Sequence, residues 1–226
     1  MFVDRKHILV RRWSNRVLQR IAPHFEGDVV NVSAWDDRDK EGGTYRRYFR
    51  RSSSYRRTNY PGFRGFRGDS DEIELDLTQP LSNELKSAFD VVYNHTTLEH
   101  IFDVKTAFSN LCEMSRDVVI VVVPFSQVQH ESESYADYWR FTPTCLRALF
   151  RENGMDVIFE AESPHRRASI YLLFAGSKHP NRHKSRLPAY RTIREAGHWI
   201  GRSYLVSGFQ FAKYRTQRLL GIAGTE

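Results

Sequence analysis

Asp90–Asp103 reads DVVYNHTTLEHIFD, Val118–Phe125 reads VVIVVVPF, and Asp137–Pro143 reads DYWRFTP. The first stretch continues an apolar strand, Phe89–Tyr93, and then breaks off into polar residues. The second opens with Val118–Val123, an almost purely β-branched run, as expected of a strand buried on both faces. Between them Val104, Ala107, Phe108, Leu111 and Met114 fall at helical spacing, so Val104–Met114 is expected to be a helix. Strand, helix and strand, with polar residues at the strand ends, is how an open parallel α/β sheet presents a binding edge.

Working outward, Asp28–Val32 reads as a first strand and Tyr55–Asn59 as a second, ended by Pro61-Gly62. Glu72–Leu75 reads as a third, entering Asp76. Downstream, Thr142 is placed to cap a helix with Pro143 at its first position. That helix runs through Leu146, Leu149 and Phe150 and stops at Asn153-Gly154. Met155–Ala161 and Ser169–Ala175 are two last strands, close enough to form an antiparallel hairpin without a crossover. At the other end, Ile8, Leu9, Trp13, Val17, Leu18 and Ile21 make an amphipathic helix with a basic outer face, from about Asp4 to Phe25. The expectation is an α/β fold of five strand–helix units closed by a hairpin, a sheet of about seven strands.

The 226 residues suit one domain with an appendage. Residues 1–178 are expected to hold the sheet and its N-terminal helix. Residues 179–226 are expected to be a basic linker (His179–Pro188) and a C-terminal helical extension (Tyr190–Leu220). Net charge is +7 and the pI about 9.5, which favours acidic partners: nucleic acid, a phosphorylated substrate or an anionic membrane surface. The two cysteines, Cys112 and Cys145, fall at core-facing helical positions and read as buried thiols in a reducing compartment. No apolar run reaches transmembrane length, and the apolar part of MFVDRKHILVRRW is short for a signal peptide. The expected location is the cytoplasm, with peripheral membrane contact or self-association through the extension left open.

Strand order, the LEH triplet at Leu98–His100 and the DYWRFTP segment resemble the class I S-adenosylmethionine-dependent methyltransferases. The pattern from Pro124-Phe125 through His130 to DYWRFTP is similar to a subgroup that acts in bacterial surface-polysaccharide synthesis. The resemblance spans roughly residues 27–178 and implies S-adenosylmethionine as cofactor. It implies Ser33 and Ala34 beneath the cofactor and Asn59 at its ribose. It also implies Asp76 and Leu77 at the adenine, and Asn94 and His95 facing the cleft. His130 is the candidate general base, since an imidazole can take a proton from a sugar hydroxyl near neutrality. Arg140 would grip a phosphate or carboxylate, and Tyr138 would lie on a sugar face. His100 is expected to hold the strand–helix junction.

The turn after strand one, Asn31-Val32-Ser33-Ala34-Trp35-Asp36-Asp37, lacks the family's glycines. A cofactor there requires the Trp35 indole to stay out of the nucleoside's space. The implied activity is O-methylation of a sugar or glycan precursor, phosphorylated or not. The alternative is an inactive methyltransferase-like scaffold subunit of a glycan-assembly complex. The arginine–aromatic stretch Tyr45–Arg67 could bind single-stranded nucleic acid, but no recognised RNA-binding motif accompanies it. Its tyrosines are expected to pack on strand two. No metal set is legible: His179 and His183 are separated by Pro180 and lack a nearby acid or cysteine to complete one.

Overall fold

The computed structural model describes residues 8–62, 65–163, 169–194, 196, 212 and 216. Seven strands form one sheet: β1 (Gly27–Val32), β2 (Ser52–Asn59), β3 (Glu72–Glu74), β4 (Phe89–His95), β5 (Ser115–Pro124), β6 (Asp156–Glu162) and β7 (Tyr171–Ser177). Their order is β3-β2-β1-β4-β5-β7-β6. The first five are parallel, and β7 runs antiparallel to both β5 and β6. Val30 pairs with Val92 and Val92 with Val119, which puts the β-branched residues at the centre of the sheet. The chain has the class I methyltransferase-like fold expected from sequence.

Among the described residues three α-helices cover the sheet: α1 (Ile8–Ile21), α2 (Val104–Met114) and α3 (Pro143–Glu152). Strand residues alternate between the two faces. Val91 and Tyr93 meet Leu18 and Ile21 of α1, whereas Val92 meets Phe108 and Leu111 of α2 and Phe150 of α3. The cap read from sequence is present, with Thr142 accepting from the Cys145 amide, and the structure adds a second: Asp103 accepts from the Thr106 amide. Gly176 of β7 lies against the Phe150 ring, where any β-carbon would run into the ring, so α3 sits unusually close to the sheet.

Three expectations are corrected. The crossovers β1–β2, β2–β3 and β3–β4 hold no α-helix among the described residues, so the repeat of five strand–helix units does not hold. In place of a first crossover helix, a 3-10 turn at Tyr45–Tyr48 buries Tyr45, Tyr48 and Phe49 against the α1 face, as Tyr55 of β2 does. Arg46, Arg47, Arg50 and Arg51 between them point to solvent, so this part of the arginine–aromatic stretch packs as expected. Second, Cys145 is exposed; one position before Leu146, it falls off the stripe that Leu146, Leu149 and Phe150 bury. Cys112 is buried, and burial pushes its thiol up to about 12. Third, β4 runs two residues past Tyr93, to His95, which decides where that histidine points.

The segment after β7 folds back onto the sheet edge. Ile193 is buried in the α2–α3 core, and its carbonyl accepts from Arg147 Nη2 at 2.8 Å. His183 Nε2 lies 2.9 Å from Asp117 Oδ2. Most of the C-terminal extension and the first seven residues lie outside the described residues. No helix among the described residues is long and apolar enough to cross a membrane.

Candidate functional site

A cleft of about 600 Å³ opens where β1, β2, β3 and β4 end. Its volume suits a small-molecule ligand. Ser33, Trp35, Asn59, Tyr60, Asp76 and Leu77 form the wall on the β1–β3 side. Thr96, His100, Phe102, Tyr135 and Tyr138 form the wall beyond β4. Five of the eight large hydrophobic side chains exposed among the described residues line this one cleft: Trp35, Tyr60, Phe102, Tyr135 and Tyr138. Trp35 is 42% exposed and belongs to the wall of a cleft that keeps its volume of about 600 Å³.

The glycine-free turn after β1 adopts conformations that glycine would take more easily. Ser33, Trp35 and Asp37 all have left-handed backbone, with φ of 57°, 50° and 57°. Hydrogen bonds to the end of β2 hold it there. The Ser33 amide donates to Thr58 Oγ1, the Ala34 amide to the Thr58 carbonyl at 3.0 Å, and the Trp35 amide to Asn59 Oδ1 at 2.6 Å. Asn59 in turn donates to Glu72, which also accepts from the Arg67 and Gly68 amides. The Asn59 amide, which lines the cleft, thus also braces the turn. Ser33 lines the cleft and Ala34 does not.

Asp76 is half-buried in the cleft wall, with Oδ1 accepting from the Thr78 amide and hydroxyl. Its second oxygen has no such commitment. Leu77 packs beneath, 3% exposed, and its carbonyl accepts from Asn110 Nδ2.

Beyond β4 the expected order of the histidines is reversed. His95 follows Val91 and Tyr93 on the α1 face and does not line the cleft. It lies among Tyr45, Tyr93 and Tyr171, with Arg11 Nη1 2.5 Å from Nδ1 and Ser14 Oγ 3.0 Å from Nε2. Ser14 donates to the Arg11 carbonyl, so its oxygen is left to accept from Nε2–H while Nδ1 accepts from Arg11. Burial, and then the Arg11 charge, push the His95 pKa well below its ordinary value. Asn94 is fully buried, bracing β4 to β1 through the Val32 carbonyl at 3.0 Å. Neither Asn94 nor His95 faces the cleft, which corrects both.

His100 does. The turn Leu98–His100 reverses the chain after β4 and places this imidazole on the wall, with Nδ1 2.6 Å from the Ala136 carbonyl. The Glu99 carbonyl accepts from the amides of Tyr138 and Trp139, and Trp139 Nε1 donates to the Ile101 carbonyl. LEH and DYWR, far apart in sequence, thus clasp each other. Glu99 is fully buried, and burial raises its carboxyl to about 8.

Arg140 does not reach for a ligand. Its Nη1 and Nη2 each bond one oxygen of Asp137 at 2.6 Å, and Nε donates to the Gln127 carbonyl. The Asp137 side chain is 0% exposed and also accepts from the His130 amide at 2.8 Å. Burial raises the Asp137 pKa, but the Arg140 and His130 bonds outweigh it and hold the carboxyl at about 2. With the folded pKa below the unfolded one, this pair's stability is complete above about pH 4 and is lost as the pH falls towards 2. Wild-type protein is therefore expected to lose roughly 2 kcal/mol of stability relative to Asp137→Asn between pH 5 and 2. Denaturant unfolding across that range measures it, and a constant difference between the two proteins refutes it.

His130 lies beside His100, ring centroids 5.0 Å apart, but is not part of the cleft wall. Its Nδ1 stands 3.3 Å from Asp137 Oδ2. Tyr138 is 50% exposed on the wall, edge-on to Phe102 at 5.3 Å. Glu99 and Phe102 were given no role from sequence, and His100, expected only to hold the strand–helix junction, lines the cleft as well.

No protein-family model matches the chain, and no curated protein matches it. Solved structures do. Burkholderia thailandensis 1,6-didemethyltoxoflavin-N1-methyltransferase, with bound 1,6-didemethyltoxoflavin and S-adenosylhomocysteine, is 16% identical with a TM-score of 0.54. The match covers 75% of this chain and 78% of that one. A Listeria monocytogenes protein assigned as an S-adenosylmethionine-dependent methyltransferase is 10% identical over 76% of this chain and 99% of its own, TM-score 0.53. A Rhodobacter sphaeroides structure named for zinc-dependent alcohol dehydrogenases is 14% identical over 74% and 89%, TM-score 0.51. At such identities the likeness is one of fold.

Proposed function

We propose that this protein is an S-adenosylmethionine-dependent methyltransferase that methylates a hydroxyl of a sugar or glycan precursor. The observation that carries the reading is the aromatic cleft at the carboxyl ends of β1–β4, the edge where open α/β sheets take ligands. The plane of an adenine and the apolar C–H face of a sugar ring both suit walls bearing Trp35, Tyr60, Phe102 and Tyr138. Asp76 has an oxygen left to accept from an adenine amino group, and Leu77 offers an apolar bed beneath. The named ligands of the Burkholderia thailandensis enzyme agree with a cofactor of this class.

In such a transfer the acceptor oxygen forms a bond to the methyl carbon as the carbon–sulfur bond breaks. The electron pair goes to sulfur, and S-adenosylhomocysteine leaves as a neutral thioether. The protein must align the two reactants and accept the acceptor's proton. That proton leaves at the end of the cleft beyond β4, where His100 lines the wall and His130 stands beside it. Because His100 lines the cleft and His130 does not, His100 is proposed as the base in place of His130. The open cleft favours a ligand-binding protein over the scaffold alternative.

Calorimetric titration with S-adenosylhomocysteine tests the reading. Saturable binding is expected, weakened about 10- to 100-fold in Asp76→Ala through loss of a charged hydrogen bond. No binding of millimolar ligand to folded protein would reject the proposal.

A further inference from the structure

We propose that Glu99, His100 and His130 bind one divalent first-row transition ion of the zinc class at the end of the cleft beyond β4. One ligand atom from each lies within 4.8 Å of the others, and Glu99 Oε1 stands 3.9 Å from His100 Nε2. Ligands at ordinary zinc distances sit about 3.4 Å apart, so the three groups close on an ion by moves of about an ångström.

Two observations besides proximity point to a cation. The Glu99 side chain is 0% exposed, and neither of its oxygens has a hydrogen-bond partner among the described residues. A carboxyl group buried without a partner is costly, and an ion that displaces its proton to solvent would supply the missing one. Each imidazole, moreover, is already held through its other nitrogen. His100 Nδ1 lies 2.6 Å from the Ala136 carbonyl, and His130 Nδ1 lies 3.3 Å from Asp137 Oδ2. A carbonyl or carboxylate in that position fixes the proton on Nδ1 and leaves Nε2 free, as in histidines that ligate zinc. The nearby positive charge of Arg140 is met by its two bonds to Asp137.

Two imidazoles and one carboxylate leave a coordination position open, and His100 borders the cleft from which it would be filled. Here the inference rests on the methyltransferase reading. The ion would bind the acceptor's hydroxyl oxygen and lower its pKa, and the proton would pass to water before the oxygen attacks the methyl group. His100 and His130 then act as ligands, and neither needs to be the base.

The test uses the full chain, stripped of metal with a chelator and shown to be folded by circular dichroism. Cobalt(II) is expected to give visible d–d absorption that saturates at one ion per chain, and zinc a matching calorimetric endpoint. Glu99→Gln and His130→Ala are each expected to weaken binding more than about 100-fold while leaving the S-adenosylhomocysteine isotherm in place. Absence of saturable cobalt or zinc binding by folded wild type overturns the proposal. So does unchanged affinity in Glu99→Gln, a near-isosteric variant, because the ion would then sit elsewhere. Parallel titration with S-adenosylhomocysteine separates the two readings: loss of that binding alone rejects the methyltransferase and leaves the ion site standing.

Discussion

Methyl transfer by His100→Ala is expected to fall about 10²- to 10⁴-fold, the range for losing a group that handles the transferred proton. Affinity for S-adenosylhomocysteine should change little, because Asp76 and Leu77 line the opposite wall of the cleft. The bond from Nδ1–H to the Ala136 carbonyl leaves Nε2 unprotonated towards its surroundings. Burial, and the charge of His130 after it, keep the His100 pKa below its ordinary value, so the ring is neutral at pH 7. A neutral Nε2 can take a proton or hold an ion, and either role disappears with the ring. His100 also positions residues 136–139, so part of the loss could come from a displaced loop. His100→Gln keeps a donor within reach of Ala136; turnover that stays low in it assigns the loss to the imidazole. Steady-state rates within threefold of wild type in His100→Ala would remove this residue from the reaction.

The largest structural effect is expected from Asp37→Ala, a loss of about 3–5 kcal/mol. Asp37 is 7% exposed and ties three segments together. Its Oδ1 accepts from Asn31 Nδ2 at 2.7 Å and from the Tyr55 hydroxyl at 2.6 Å, while Oδ2 accepts from the Arg46 amide. Alanine would leave all three donors buried or half-buried without a partner, each costing about 1–3 kcal/mol and not fully additive. It would also place a residue without local hydrogen-bonding capacity at φ +57°. Such a loss is a large part of the stability of an ordinary domain. Because Asp37 ends the turn that carries Ser33 and Trp35, the variant should also bind S-adenosylhomocysteine more weakly at temperatures where it remains folded. Chemical denaturation decides it, and a change below 1 kcal/mol would show that the network does not depend on this carboxylate.

Much of the sheet was legible because its strands carry strong local signals. The run Val118–Val123 has no reading as stable as a strand buried on both faces, and the structure extends it to Ser115–Pro124. Val104–Met114 was legible to the residue from its apolar spacing, and the structure adds Asp103 as its cap. The helix-free crossovers were harder. Tyr45, Tyr48 and Phe49 cover the sheet from a 3-10 turn, where no helical period marks them as core.

His95 was misplaced by an error of strand length, not of chemistry. Parity along β4 puts Val91, Tyr93 and His95 on one face once the strand is allowed to run to His95, and that signal was present in the alternation. The same parity sends Asn94 to the other face, where it is buried against the end of β1. Arg140 was expected to grip an anionic ligand, and Asp137, three residues before it, fills that fork instead.

Amino-acid order alone specified which stretches become strands and helices, where LEH and DYWR lie, and that the chain forms an α/β sheet with a terminal hairpin. Those features depend on periodicity and caps, which act over a few neighbouring residues. The grouping of Glu99, His100 and His130, the bracing of the glycine-free turn by Asn59, and the turning of His95 away from the cleft emerged only in three dimensions. They depend on how far a strand runs before it breaks and on which loop folds over its end. Pairing and packing between segments distant in sequence decide both.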